Sequence, residues 1–336
     1  MISSHFDSIM SQTILITGGA GYIGSQTNLA LLEQGFNTIV FDNLSTGNKD
    51  VIPSSSTFVQ GDLQNIDEIR AVFTENKIDG VVHFAASIEV GESQINPQKY
   101  YINNVVSSLN LFKVMLEFDV KNLVFSSTAA IYGTASHVAI KEEFPSKPIN
   151  VYGQTKLMIE NILTEYHKAY QLNSVCLRYF NACGGDIHGR TGENHKPESH
   201  LIPIIFEAIQ GKREFIAIYG EGYDTPDGTC VRDYIHTMDL AVAHVLSIQK
   251  LLAKELAHEV INLGTEIGFS VREIIKSVEE ITGCIVPVKV GELRSGDPDI
   301  LIASNRKAKK VLGWTPKYSD LKTIISTAWK WSKSIS

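Results

Sequence analysis

The 336-residue chain has few cysteines, no basic runs and no long apolar run. Its four cysteines, Cys176, Cys183, Cys230 and Cys284, are widely spaced, with no CxxC pair and no zinc-ribbon spacing. That excludes a disulfide framework, and the four read as the reduced thiols of a cytosolic protein. No apolar stretch reaches the roughly 18 residues that suggest a membrane span. Lys and Arg total 30 against 37 Asp and Glu, a net charge of −7, and no Lys/Arg cluster stands out. This argues against a protein that wraps nucleic acid. An anionic ligand must be met by a few local arginines or by helix N-termini. The opening residues, MISSHFDSIMSQ, lack the basic and apolar regions of a signal peptide. They read as a frayed lead-in (1–12), with Met10 as an alternative start. Neither an internal repeat nor a low-complexity linker is present, and the 43% hydrophobic content excludes global disorder.

What is present is an alternation. Thr13–Thr17 (TILIT) is a short β-branched run closed by glycines, and reads as a fully buried strand. Further strands are expected at Asn37–Phe41, Thr57–Gln60, Gly80–Phe84, Leu123–Phe125 and Ser174–Arg178. Helices are expected from Gly21 to about Gln34, near Ile66–Glu75, over Pro97–Phe118 and over Val151–Tyr170. Such alternation calls for a doubly wound parallel sheet with helices on both faces. After Asn181 the character changes. Residues 182–200 hold four glycines and three histidines, a long loop of the kind that is usually functional. Beyond it, helices at Leu201–Gln210, Asp239–Gln249 and Val271–Ile281 and strands at Phe215–Tyr219 and Val260–Leu263 predict a smaller, mixed α/β domain. The expected division is 13–181 and 182–336, with about 231–263 returning to the first domain.

Thr17–Gly24 reads TGGAGYIG, with Gly18, Gly21 and Gly24 at GxxGxxG spacing between a strand and a helix. A tight turn, close backbone approach and a helix N-terminus aimed at an anion suit a dinucleotide pyrophosphate. Asp42 ends the second strand near the offset expected for a carboxylate on the adenosine ribose, which favours NAD over NADP. It also fits a turn residue before Asn43. Asp62 could meet the adenine edge or cap a helix.

Tyr152 and Lys156 in VYGQTK share one helix face at i, i+4. A nearby ammonium favours the phenolate of a tyrosine and makes it a usable base. The same pair could be a chance surface pair. The preceding LVFSSTAAIYG is a strand ending in hydroxyls, and Thr128 is the one expected at the substrate oxygen. Ser126 and Ser127 compete for that role, or else cap the strand end.

Together TGGAGYIG, HFAA (83–86), YYINNV (100–105), SSTAAIYG, YGQTK, LRYFNACG and VRDYIH resemble the extended short-chain dehydrogenases/reductases over about residues 13–333. Within that family the chain is most similar to the branch that epimerises UDP-hexoses at C4. The resemblance implies a Rossmann-type sheet with a smaller substrate-binding domain, bound NAD, a UDP-hexose substrate and a cytoplasmic homodimer. The dimer would form through the helices of Pro97–Phe118 and Val151–Tyr170. It makes Tyr152 the base, Lys156 the ribose-holding and tuning residue, and Thr128 the hydroxyl residue. Asn103 stands at the family's supporting asparagine. The resemblance extends the cofactor set to Tyr22, Ile23, Asn43, Leu63, Phe84, Ala85, Ala86, Ser126 and Tyr179.

On the sugar-nucleotide side it places Asn181 on the diphosphate-sugar and Phe180 in the pocket wall. Arg232 and Arg294 become the diphosphate arginines, whose planar forks match phosphate oxygens. Asp297 meets the uridine ribose, and His200, Leu201, Ala217, Ile218 and Tyr219 fall on the UDP side. Blander readings are an Arg232–Asp233 surface pair and Asp297 as a turn residue. Cys183, His188, His195 and His200 invite a metal, but their spacings fit no compact ligand motif, and no metal is expected. Ile88 stands where some relatives carry a lysine near the nicotinamide. Leu301 is of intermediate size where the family varies the sugar pocket, which leaves N-acetylated sugars open. Thr128 is followed by Ala129–Ala130 rather than the Asp-Glu pair of a 4,6-dehydratase, and the extra basic residues of a uronate enzyme are not identifiable. A non-catalytic NAD-binding protein would be expected to lose the Tyr152/Lys156 pair.

Overall fold

A computed structural model of the chain describes residues 12–134, 139–293 and 297–335. The chain divides into two compact units.

The first unit takes in residues 1–133, 146–178 and 241–261. Its strands are β1 (Thr13–Thr17), β2 (Asn37–Asp42), β3 (Thr57–Gln60), β4 (Gly80–His83), β5 (Asn122–Thr128) and β6 (Asn173–Tyr179). They belong to a seven-stranded sheet in the order β6-β5-β4-β1-β2-β3, with His258–Leu263 on the far side of β6. Neighbours from β3 to β5 run parallel. β4 is buried at every position, as a strand covered on both faces must be. Leu15, Val81, Leu111, Phe112, Met115, Leu123, Phe125 and Cys176 share one core.

The order reverses between β1 and β4: one winds on to β2 and β3, the other to β5 and β6. Ligands in such sheets bind in the crevice outside the strand C-termini at that reversal. Helices Tyr22–Glu33, Ile66–Glu75 and Val151–Tyr170 follow the expected bounds to within a residue. The segment expected as one helix over Pro97–Phe118 is instead three pieces. Pro97–Tyr100 and Ser107–Glu117 are α-helical, and Tyr101–Val106 between them is a π-turn. Such a turn adds a residue to the helical repeat and frequently marks a functional site.

The second unit takes in residues 134–145, 179–240 and 262–336. It is built from short strand pairs and helices, the mixed α/β character its composition predicts. Asn181–Cys183 runs parallel to Tyr234–His236, and Ile216–Tyr219 parallel to Val288–Gly291. Val231–Arg232 lies between Phe269–Ser270 and Ile300–Leu301. Its core joins Ile205, Phe206, Ile218, Ile274, Val278 and Ile324 from helices Leu201–Ile209, Val271–Thr282 and Leu321–Ser334 and a strand. Ile216–Tyr219 falls within the strand expected at Phe215–Tyr219, whereas the two- and three-residue strands carry no readable periodicity.

Candidate active site

The glycine turn stands at the reversal point of the first unit. Gly18 has φ +74°, and a Cβ there would lie 2.6 Å from the Ala85 nitrogen. At Gly24 a Cβ would fall 2.2 Å from the Gly18 carbonyl oxygen. Only glycine satisfies either position. Phe84 and Ala85 both donate backbone N–H to the Thr17 oxygen, so the turn after β4 is tied to the end of β1. Ala86 continues that turn. Gly21 begins helix Tyr22–Glu33 without a side-chain cap, the arrangement that leaves N–H donors for an anion. Tyr22 is buried and Ile23 half-buried in the helix's first turn.

Asp42 accepts the Ala20 N–H through one oxygen (3.0 Å) and the Leu44 N–H through the other (2.8 Å), and burial raises its pKa. Its carboxylate braces the glycine turn from the end of β2. The turn reading therefore holds. Asn43 donates to Asp62 at 3.0 Å, which joins two expected cofactor residues; Leu63 beside them is buried. Asp62 accepts the Gln64 N–H, and the cap of helix Ile66–Glu75 is Asn65, not Asp62.

Beneath this turn runs a buried polar chain that the sequence did not reveal. Thr17 Oγ1 and His83 Nδ1 lie 2.6 Å apart, His83 Nε2 and Ser108 Oγ 2.8 Å, and Ser108 donates to the Asn104 carbonyl. Ser108 spends its proton on Asn104, so His83 Nε2 carries the hydrogen and Nδ1 accepts from Thr17. Burial, with the Lys156 charge, pushes His83 down to about 3, so the ring is neutral. Asn104 sits in the π-turn. Its side chain accepts the Ser87 N–H at 2.8 Å and donates to the Ser87 oxygen and the Thr155 hydroxyl at 3.1 Å. Asn103, the asparagine singled out from the sequence, donates to Asn104 (3.2 Å). The network therefore centres one residue further on.

Thr155 passes the constraint to Tyr152 by donating to its carbonyl oxygen at 2.7 Å. Asn150 caps helix Val151–Tyr170 by accepting the Gly153 N–H at 2.7 Å, which places Tyr152 in the first turn. Tyr152 is hydrogen-bonded to Thr128. Thr128 also accepts the Ala130 N–H at 3.1 Å. Lys156, one turn on, is buried; its ammonium donates to the Ser126 oxygen at 2.8 Å and lies 5.9 Å from the Tyr152 ring centre.

One expectation needs correction. In the chain alone the Tyr152 phenol is not eased toward ionisation: burial raises it to about 12, against the lowering effect of Thr128. Burial also brings Lys156 down to about 7, with Glu160 opposing. Desolvation disfavours both charged forms.

Ser127, a competitor of Thr128, turns instead to Glu160 at 2.5 Å. Glu160 also takes Arg178 through three contacts of 2.5–3.2 Å, and Arg178 donates to the Tyr132 hydroxyl at 2.7 Å. This buried ion pair lies one helical turn beyond Lys156. No spacing in the chain signals it, because its members come from separate elements.

In the second unit, Arg232 and Asp297 meet at 2.6 Å, and the Tyr223 hydroxyl donates to Asp297 at 3.4 Å. The alternative Arg232–Asp233 pair is not formed. Asp233 is buried and accepts from Thr265 and the Ala303 N–H, and burial pushes it up to about 6. Leu301 is in register with Arg232 across paired strands. Asn181 donates to the Asp233 carbonyl, Tyr179 is buried at the end of β6, and Phe180 is half-buried. In Ile216–Tyr219, Ala217 is half-buried and Tyr219 exposed, whereas Ile218 packs into the core. Ile218 thus offers a ligand no more than backbone. Leu201 opens its helix directly after His200. Arg294 lies outside the described residues. Of the four residues weighed as metal ligands, His195 and His200 come together, joined by Glu193 and Glu198.

The family profile described as GDP-mannose 4,6 dehydratase matches residues 15–327. The UDP-glucose 4-epimerase of Halalkalibacterium halodurans is 51% identical over 320 residues, 95% of each chain. The chain belongs to the UDP-glucose 4-epimerase family. The solved epimerase of Brucella ovis in complex with NAD has 44% identity and a TM-score of 0.93, over 96% of this chain and 98% of that one. The epimerase of Bifidobacterium longum in complex with NAD+ and UDP has 38% identity and a TM-score of 0.91, over the same shares. The epimerase family supplies the frame for Ala129 and Ala130: the residues after Thr128 offer no acid for dehydration.

Proposed function

We propose that the chain catalyses the reversible C4 epimerisation of UDP-galactose and UDP-glucose with a retained NAD. The observation that supports this most is the Tyr152–Thr128 hydrogen bond, with Lys156 on the same helix face. The uncapped glycine turn fits a pyrophosphate. Gly18, Gly21 and Gly24 would hold it, Asp42 and Asn43 the adenosine ribose, Asp62 and Leu63 the adenine edge, and Phe84–Ala86, Asn103, Ser126 and Lys156 the nicotinamide half. Bound NAD supplies a reversible hydride acceptor for C4 and a cationic ring that favours the phenolate.

The chain's residues do the rest. Tyr152 as phenolate would take the 4-hydroxyl proton and later return it to the same oxygen. Thr128 holds the same oxygen. Lys156, on the same helix face, adds a positive charge beside Tyr152 when it is protonated. Arg232, Arg294, Asn181, Asp297 and Leu201 would grip UDP, leaving the sugar loosely held so that the 4-keto form can turn over. We read the protein as a cytosolic homodimer; Ile102 and Val106 leave apolar surface exposed on the π-turn, and light scattering of the purified protein tests the dimer.

The deciding assay uses the purified protein without added NAD, on UDP-galactose and separately on UDP-N-acetylgalactosamine. Conversion of the first is expected, abolished in Tyr152→Phe with NAD still bound. Conversion of the second as well would assign a wide pocket despite Leu301. Failure on both, with NAD bound, would overturn the reading in favour of another UDP-sugar reaction or a binding protein.

A further inference from the structure

Four side chains from residues 193–200 converge in the second unit. His200 Nδ1 lies 2.7 Å from Glu193 Oε1 and 3.3 Å from Glu198 Oε1, and His195 Nδ1 lies 3.2 Å from Glu193 Oε1. All four candidate donor atoms fall within 4.8 Å of one another. We propose that Glu193, His195, Glu198 and His200 form a structural zinc site that pins the long loop just before helix Leu201–Ile209.

Three observations support zinc over a plain hydrogen-bond cluster. The first is charge. The Glu193 and Glu198 side chains are only 8% and 5% exposed. Two buried carboxylates need two positive charges. The two imidazole rings stand only 5.3 Å apart, with their Nδ1 atoms turned to these carboxylates. A divalent cation with two neutral imidazoles balances the site.

The second is geometry. Donors about 2.0–2.1 Å from a tetrahedral zinc stand about 3.3 Å from each other. The His195–Glu193 contact matches, and the shorter His200–Glu193 contact needs a shift of half an ångström or so. Glu198 Oε1 already receives the Ser199 and His200 N–H groups, so its second oxygen is the donor to the ion. The third is donor chemistry. Two imidazoles with two carboxylates suit zinc, whereas calcium and magnesium prefer all-oxygen sets. Four protein ligands make a closed site, which is structural rather than catalytic. Cys183 and His188 do not join the cluster; Glu193 and Glu198 take their place.

The site needs little else from the fold. Trp331 Nε1 donates to the Glu193 carbonyl at 2.9 Å and anchors the first ligand's backbone. With Nδ1 of His200 on the ion, its Nε2 remains directed away, so a contact to substrate is compatible. The inference does not rest on the epimerase reading, since metal content is measured without turnover.

The test strips the purified full chain with a chelator, reloads it with zinc and removes the excess. About one zinc per chain by mass spectrometry of the metal is expected, with a rise in melting temperature. Cobalt in place of zinc should give the strong visible bands of a tetrahedral ion. In His195→Gln/His200→Gln, zinc affinity should fall more than about 100-fold while the circular dichroism is kept. No retained zinc in the wild type, or equal zinc in the variant, overturns the proposal. Should the variant fail to fold, the cobalt spectrum of the wild type decides: absent or weak octahedral bands overturn it as well.

Discussion

The Lys156 ammonium donates to the Ser126 carbonyl oxygen at 2.8 Å, reaching from its helix to the end of β5. It is a buried amine held by a neutral acceptor, with Glu160 the one anion raising it. Its folded pKa of about 7 lies below the unfolded value of about 10.4. Between the two, the unfolded chain binds a proton that the folded chain does not. Stability from this group is therefore lowest at pH 7 and below, and rises as pH climbs toward 10. Urea unfolding of the apoprotein at pH 7 and pH 9 should show Lys156→Met lacking about 1–2 kcal/mol of the wild-type gain. An identical gain in both would contradict the burial argument.

Asn103 and Asn104 should separate cleanly. Asn104→Ala strands the Ser87 N–H and carbonyl and the Thr155 hydroxyl, at about 2–3 kcal/mol. It should also lower kcat, because Thr155 fixes the backbone of Tyr152. Asn103→Ala should cost under about 1 kcal/mol in stability. Thermal unfolding and steady-state kinetics on both variants check this; equal costs would displace Asn104 from the centre of the network.

Glu160→Gln leaves Arg178 buried without its anion, a loss of about 3–5 kcal/mol. Glu160→Met/Arg178→Met should recover most of that loss, since an apolar pair removes both desolvation terms. Comparing the chemical denaturation of the two proteins decides between a partner-dependent pair and a simple packing site.

Asp297→Ala frees Arg232 from its 2.6 Å partner. If Asp297 orients the guanidinium and meets the ribose, UDP binding weakens by about 10–100-fold, with kcat little changed. Tighter binding measured by calorimetry would mean that Asp297 competes with the diphosphate instead.

Much of the first unit was legible because its strands are short apolar runs and its glycines are demanded by contact, as at Gly18 and Gly24. Tyr152 and Lys156 were legible through helical spacing. The Asn104 network was not, because the π-turn over Tyr101–Val106 breaks the 3.6-residue count on which facing residues are read, and Asn103 came from the family resemblance alone. Glu160 and Arg178 meet through tertiary structure alone. The rise in the Tyr152 pKa escaped because spacing reports a neighbouring charge but not the loss of water around it. In the second unit, strands as short as Val231–Arg232 leave no alternation to detect, and Ile218 was grouped with its neighbours because its inward face is set by pairing.

Helix Val151–Tyr170 carries Tyr152, Thr155, Lys156 and Glu160 within its first three turns. Each sits about 100° of rotation per residue from the next. One residue inserted after Lys156 would keep the phenol and amine aligned but swing Glu160 away from Arg178. The two halves of this helix are thus held in phase by residue count alone, and length, more than identity, is what its middle must preserve.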